Sequence, residues 1–202
     1  MENNENKIIE VNEETTDVQV IQEQHTNILE TAKMLSESTI VPVSYQHRPE
    51  NCYIALEIAN RMNTPVIAIM QNLYVVQGKP SWSGSACASM VQNNPKLCDV
   101  ELVYVGKEGT DDWGAYVTAK NKRTGKTIKG STVTIGTAKA EGWYNKNGSK
   151  WKTMPEMMLG YRAFAWFARL HCPEIIMGFQ TVEEIEDVSS VQTNTVANPY
   201  NN

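Results

Sequence analysis

The sequence has few of the features that mark secreted, membrane-spanning or metal-binding proteins. No apolar run reaches the roughly 18 residues of a transmembrane helix, and the polar, acidic N-terminus does not have the character of a signal peptide. The four cysteines are scattered and form no CxxC pair, so neither a disulfide framework nor a zinc site is indicated. We therefore expect a cytoplasmic protein.

Signatures of catalysis are also lacking. There is no GxxxxGK[ST] phosphate-binding loop, so ATP hydrolysis is not indicated, and neither GxSxG nor HExxH occurs. The three histidines have no neighbour that suggests a proton relay. The adjacent carboxylates Asp111 and Asp112 leave a Mg²⁺-dependent nuclease open as an alternative, although such pairs are more often exposed loop charges. The sequence thus indicates no enzyme and no cofactor, and it gives no positive sign of a Mg²⁺ requirement.

The net charge of −5 conceals an uneven distribution. Residues 1–37 carry nine acidic and two basic side chains, residues 38–173 carry nine acidic and sixteen basic ones, and residues 174–202 carry five acidic and no basic ones. A basic body between acidic ends favours a polyanionic partner. A solvated charged face is the ordinary alternative, and charge alone does not decide between the two.

Hydrophobic periodicity predicts an α+β fold in a single domain over residues 20–188, between disordered tails at 1–19 and 189–202. From about residue 100 the period changes to two, which indicates a three-stranded antiparallel meander. Its strands are predicted at 101–105, 115–120 and 127–135. We expect the meander to pack with a long C-terminal helix and with several shorter helices that precede it, at 20–37, 49–62, 65–71 and 83–93.

The long C-terminal helix is predicted to be apolar on nearly every side and therefore enclosed by protein. Thr153 and Glu156 have the S/T-x-x-E spacing of a capping box at its start. Arg162 and Arg169 are two turns apart and lie on one face. Because an unpaired buried guanidinium is costly, these arginines must meet either carboxylates or an external anion in a groove.

The same part of the chain resembles a known family. The blocks that carry the resemblance are Asn72–Ser83, Met154–Leu159, Tyr161–Ala163, Ala168–Leu170 and Thr181–Glu184. Together they are similar to the RecT/Red-beta family of phage single-strand DNA annealing proteins over roughly residues 50 to 188. Gly160 departs from the family pattern, since relatives often have a basic residue at that position.

The resemblance implies ATP-independent binding of single-stranded DNA and annealing of complementary strands in homologous recombination. Both the single strand and the annealed duplex are then ligands. It also implies self-association into rings or filaments, a partner phage exonuclease, a host single-strand binding protein and no membrane partner. The protein would act in the cytoplasm of the host cell.

Lysines interleaved with aromatic residues suit this function, because lysines neutralise phosphates of any sequence and exposed aromatic rings stack on unpaired bases. With the resemblance, the expected DNA-binding residues are Lys79, Trp82, Lys122, Arg123, Lys126, Lys129, Trp143, Lys150, Lys152, Tyr161, Arg162 and Arg169.

Three alternatives stay open at this point. The hairpin lysines can be no more than a solubilising turn. The two arginines can pair with Glu156, Glu174 or the acidic cluster Glu183–Asp187. Finally, the basic face can belong to a protein-interaction module that docks on an acidic host protein.

Overall fold

The computed structural model describes residues 17–189. These residues divide into two compact units, with the boundary between Gln71 and Asn72. The predicted tails at 1–19 and 189–202 lie outside the described residues except at their inner ends. The prediction of one domain over 20–188 stays a prediction. No helix within residues 17–189 has both the length and the apolar character needed to cross a membrane.

The N-terminal unit is helical, with α1 (Asp17–Ser36), α2 (Pro49–Met62) and α3 (Val66–Asn72), which ends at the boundary. Helices α1 and α2 pack through small buried side chains, including Ala32, Cys52 and Ala55. Helix α2 has the predicted bounds for local reasons. Pro49 fits the first turn because no intrahelical partner is available to its amide position, and Asn63 ends the helix with a left-handed φ of 48°.

The C-terminal unit contains the remaining elements. They are β1 (Leu73–Val76), β2 (Lys79–Trp82), α4 (Gly84–Gln92), β3 (Leu97–Val105), β4 (Gly114–Asn121), β5 (Thr127–Lys129), β6 (Val133–Thr134), α5 (Ile135–Ala140), α6 (Lys150–Thr153), α7 (Pro155–His171), α8 (Pro173–Ile176), β7 (Gln180–Thr181) and α9 (Val182–Ser189). The α+β class, the antiparallel meander and the long C-terminal helix are confirmed.

The meander is formed by β3, β4 and β5, with β6 pairing to the start of β4. Ala115, Val117 and Ala119 are completely or almost completely buried and face α7, while Tyr116 and Thr118 alternate to the open face. The predicted third strand over 127–135 is interrupted between β5 and β6. At Gly130 the chain passes close beneath α7, since a Cβ there would lie only 3.1 Å from Phe167 Cδ2.

A second, smaller sheet has the order β1-β2-β7, with β7 parallel to β2. Lys79 and Pro80 begin β2. The turn itself is Gln77–Gly78, both with positive φ (51° and 75°), as a two-residue hairpin of type I′ requires. The prediction missed β7 altogether.

The start of α7 differs from the prediction. Thr153 ends the short helix α6, and Met154 occupies the N-cap of α7 without a side-chain cap bond. The predicted Thr153–Glu156 capping box is therefore wrong. The reason is Pro155, which forces the preceding residue out of the helical region, and Met154 accordingly has φ −140° and ψ 54°.

The same T-x-x-E spacing does form a reciprocal cap further along the chain, at the start of α9. The Thr181 amide donates to Glu184 Oε2 at 3.0 Å, and the Glu184 amide donates to Thr181 Oγ1 at 3.3 Å. This cap fixes the acidic helix α9 next to α7.

Candidate nucleic-acid interface

The first arginine of α7 is buried against an acid. Arg162 is 4% exposed, its Nη2 donates to Asp187 Oδ2, and its Cζ lies 4.0 Å from the centre of the Trp143 ring. Asp187 is 5% exposed and also accepts a hydrogen bond from Trp151 Nε1 at 3.0 Å. Both charges therefore have the partners that burial demands.

Burial acts on the pKa of both members of this pair. Loss of water raises the pKa of Asp187, opposed by the Trp151 N–H and by the Arg162 charge, and it lowers the pKa of Arg162, opposed mainly by Asp187. Since the ordinary pKa of a guanidinium is far above neutral, Arg162 keeps its proton and holds Asp187 as its counter-ion.

The second arginine of α7 is also paired with α9. Arg169 Nη2 lies 2.7 Å from Glu184 Oε2, with 42% of the arginine side chain exposed and only 4% of the glutamate side chain. Glu183 uses Oε1 to accept the Gly84 amide at 3.3 Å, at the start of α4. Of the alternatives that the sequence left open, the pairing with the acidic cluster is the one found.

The prediction that Arg162 contacts phosphate is corrected accordingly, and the one for Arg169 stays a prediction. Arg162 lies in the core with its charge neutralised. Arg169 reaches the surface, but its guanidinium is shared with a buried carboxylate. A phosphate at Arg162 would first have to displace Asp187 of α9.

Two of the predicted base-stacking residues are corrected as well. Trp82 is fully buried and donates from Nε1 to the Ile176 carbonyl at 3.0 Å. Trp143 is 7% exposed and lies between Trp151, at 5.7 Å between ring centres, and the guanidinium of Arg162. Neither ring has a free face for a base.

Tyr161 and Gly160 are placed by close packing of α7 on its neighbours. Tyr161 is half-buried over Gly84, where a Cβ would lie 2.6 Å from Tyr161 Cγ. A Cβ at Gly160 would lie 3.1 Å from Leu102 Cδ2 and 3.4 Å from Tyr104 Oη. Position 160 therefore faces the sheet, and a basic side chain there would meet β3 before it met solvent.

The cations of the β4–β5 connection have different surroundings. We call Lys122, Arg123, Lys126 and Lys129 the hairpin cluster. All four are exposed, and no carboxylate among residues 17–189 forms an ion pair with them. Beside them lies a surface depression of about 610 Å³ lined by Pro95, Lys96, Asn121, Lys122 and Arg123.

The backbone under the hairpin cluster is fixed by its own hydrogen bonds. Asn121 Oδ1 accepts the amides of Arg123 and Thr124, both at 3.0 Å, and Gly125 has the positive φ of 67° that the loop requires. The charged side chains are thus exposed groups on a hydrogen-bonded hairpin.

The open face of the meander continues from this cluster. Lys129 Nζ lies 4.1 Å from the centre of the Tyr116 ring, and Lys120 pairs with Asp99 at 2.8 Å. Tyr116 was not among the predicted DNA-binding residues. The alternation of Ala115, Val117 and Ala119 was the signal that could have placed it on the face opposite α7.

A second group of cations, Lys146, Lys150 and Lys152, is called the loop cluster. Lys152 is exposed, lies 5.8 Å from the Tyr144 ring centre and has no acidic partner within the described chain. Lys150 Nζ is 3.6 Å from Glu186 Oε2, and Lys146 Nζ donates to the Glu186 backbone oxygen.

The two clusters border different cavities. Lys146 and Lys150 of the loop cluster line a cavity of about 390 Å³ together with Val76, Gln77, Glu186 and Asp187, and none of its lining residues is shared with the depression beside the hairpin cluster. Lys79 is exposed next to the Gln77–Gly78 turn and has no ion pair among the described residues. The predicted cations are thus distributed over at least two surfaces.

The carboxylates considered for a nuclease have local partners. Asp111 pairs with Lys139, and Asp112 accepts a hydrogen bond from Thr110 Oγ1 that lowers its pKa. Within residues 17–189, no three His, Cys, Asp or Glu side chains are grouped closely enough to hold a metal ion.

Comparisons with known proteins add no assignment. No family model matches the chain, and no curated protein or solved structure gives a significant match.

Proposed function

We propose that this protein binds single-stranded DNA without ATP and anneals complementary strands, as its resemblance to the RecT/Red-beta family implies. One observation carries the proposal, namely the hairpin cluster. Three cations lie in the β4–β5 connection and a fourth, Lys129, ends β5, all without a carboxylate partner in the described chain. Neighbouring like charges repel, so the arrangement favours an external polyanion that relieves the repulsion.

In this proposal the protein supplies charge neutralisation and alignment. Lys122, Arg123 and Lys126 contact successive phosphates, and the exposed Lys79 and Lys152 are further candidates. Phosphate contacts carry no base information, so binding is largely independent of sequence and the bases remain free to pair. Pairing of the two strands provides the free energy of annealing. Assembly into rings or filaments, and action with an exonuclease and a host single-strand binding protein, belong to the same proposal.

Removal of the hairpin charges tests the assignment. In the triple variant Lys122→Ala, Arg123→Ala, Lys126→Ala, affinity for an oligo(dT) single strand should fall about tenfold to hundredfold at low salt. The slope of log K against log salt should become shallower by about 2, because each lost phosphate contact in single strands accounts for about 0.7. Fluorescence anisotropy over a salt series measures both quantities.

The matched control removes the same charge elsewhere, by Lys33→Ala, Arg61→Ala and Lys107→Ala, which lack ion pairs among the described residues. An equal loss in both triple variants would reduce the effect to net charge and overturn the site. A parent protein that neither binds nor anneals oligonucleotides would reject the function.

The two other functions give different outcomes in the same experiments. A protein-interaction module would ignore oligonucleotides, yet its hairpin cluster would be needed to retain an acidic host protein. A nuclease would degrade the strands, and EDTA would abolish the degradation.

A further inference from the structure

Helix α9 presents its acids on two sides with very different exposure. Glu184 and Asp187, three residues apart, are 3% and 5% exposed and hold the arginines of α7. Glu186 lies on the outer side and is exposed. The inner pair thus anchors the helix, while the outer acid is placed where α9 borders the loop cluster.

The contacts of Glu186 are of the kind that exchange readily. Its carboxylate lies 3.6 Å from Lys150 Nζ, and the two side chains are 49% and 48% exposed. Exposed ion pairs of this sort contribute little and are screened by salt. Lys146 contacts the backbone oxygen of Glu186 rather than its carboxylate. The only acid paired with Lys150 within the described residues is therefore weakly held.

The surroundings of this pair have room for a ligand. The cavity of about 390 Å³ is lined by Lys146, Gly148 and Lys150 and also by Glu186 and Asp187. A phosphate that entered it would meet two ammonium groups. It would also meet the Glu186 carboxylate, a like charge that already occupies one of those groups.

We propose that the Lys146–Lys150 cavity is a second phosphate site for the DNA strand and that Glu186 competes with the phosphate for it. This inference rests on the proposed single-strand binding and adds a regulatory element to it. A strand gains the contact with Lys150 only by displacing the Glu186 carboxylate. The α9 helix itself stays in place, because Glu184 and Asp187 remain bound to the arginines.

The decisive variant is Glu186→Gln, which keeps the shape of the side chain and removes its charge. Because a competitor is lost, affinity for oligo(dT) should rise, by about twofold to fivefold given the weakness of an exposed pair. The salt slope should steepen by about 0.7 as one more phosphate is neutralised. A gain in affinity cannot arise from misfolding.

Two further variants locate the effect. Glu108→Gln removes the same charge from an exposed glutamate without an ion pair in the described chain, and it should leave affinity near that of the parent. Adding Lys150→Ala to Glu186→Gln should cancel the gain, and Lys150→Ala alone should weaken the parent less than it weakens Glu186→Gln.

The outcomes separate this inference from the proposed function. Binding by the parent with no gain in Glu186→Gln, or an equal gain in Glu108→Gln, overturns the competition and leaves single-strand binding intact. Failure of every variant to bind oligo(dT) rejects both.

Discussion

The arginines of α7 and the hairpin cluster contain the same type of charge in opposite surroundings. Arg162 is enclosed by Trp143, Trp151 and Asp187, and Arg169 shares its guanidinium with Glu184. The cations of the hairpin cluster extend from an ordered loop, with no acid paired to them in the described chain. The first set is therefore part of the fold, and the second is available to a ligand.

The difference shows that the availability of a basic residue depends on where the acids lie. The sequence places five acids and no basic residue after position 173, and four of these acids are in α9. Once α9 is capped next to α7, its carboxylates reach the arginines and leave the β4–β5 connection unneutralised. The predictions below test this contrast, beginning with the largest effect.

Removal of the acid beneath Arg162 should be the most damaging change. Asp187→Ala leaves a buried guanidinium without its partner and leaves the Trp151 N–H unsatisfied. We expect the free energy of unfolding to fall by about 3–5 kcal/mol. Urea denaturation followed by tryptophan fluorescence measures the change.

The matched control is Asp111→Ala, which breaks the exposed pair with Lys139 and should cost less than about 1 kcal/mol. The double variant Arg162→Met, Asp187→Leu removes both buried charges and should recover much of the lost stability. If Asp187→Ala and Asp111→Ala cost the same, the buried character of the α7 pair is refuted.

A basic residue introduced on α7 should have an intermediate effect that depends on the face it enters. Gly160→Lys would force the side chain against Leu102 and Tyr104. We expect a loss of about 1–3 kcal/mol from overpacking. Met157→Lys adds the same charge at a position that is 47% exposed and should change stability by less than about 0.5 kcal/mol. Thermal unfolding of both variants and of the parent measures these changes. If Gly160→Lys were as stable as the parent, the close packing of position 160 on β3 would be refuted.

Local signals in the sequence predicted the elements that depend on local chemistry. The bounds of α2 follow from Pro49 and from the helical spacing of its apolar residues, and the meander follows from a period of two. Strand β7 was missed because its two-residue parallel pairing with β2 depends on a contact between segments about 100 residues apart. The capping box was misplaced at Thr153 because Pro155 overrides it, whereas Thr181 has no such neighbour.

In the candidate site, too, the residues that depend on local turn chemistry were predictable and those that depend on tertiary packing were not. Hairpin lysines could be placed at an exposed connection from the turn chemistry around Gly125, because hairpin tips face solvent. The burial of Trp82 and Trp143 could not be predicted, because the sequence does not distinguish a tryptophan that stacks on a base from one that packs in the core. The sequence predicted that Arg162 would pair either with an acidic side chain or with an external anion. The position of α9 in the structure identifies the partner as Asp187.

The smallest effect is expected at an exposed pair near the hairpin cluster, between Lys96 and Glu174. The lysine bond at 2.6 Å holds the pKa of Glu174 below its ordinary value of 4.5. Because the pKa of Glu174 is lower in the folded state, its ion pair stabilises the fold fully at pH values above the unfolded-state pKa. This stabilisation is lost as the pH falls through the folded-state pKa. Because the side chains are 69% and 49% exposed, Glu174→Gln should cost less than about 0.5 kcal/mol at neutral pH and nothing once the carboxylate is protonated. Denaturation of parent and variant between pH 3 and 7 would show the two curves converging at low pH. If the difference in stability between parent and variant persisted or grew at low pH, the loss would come from packing rather than from charge. The contrast between exposed and buried ion pairs could then not be attributed to electrostatics.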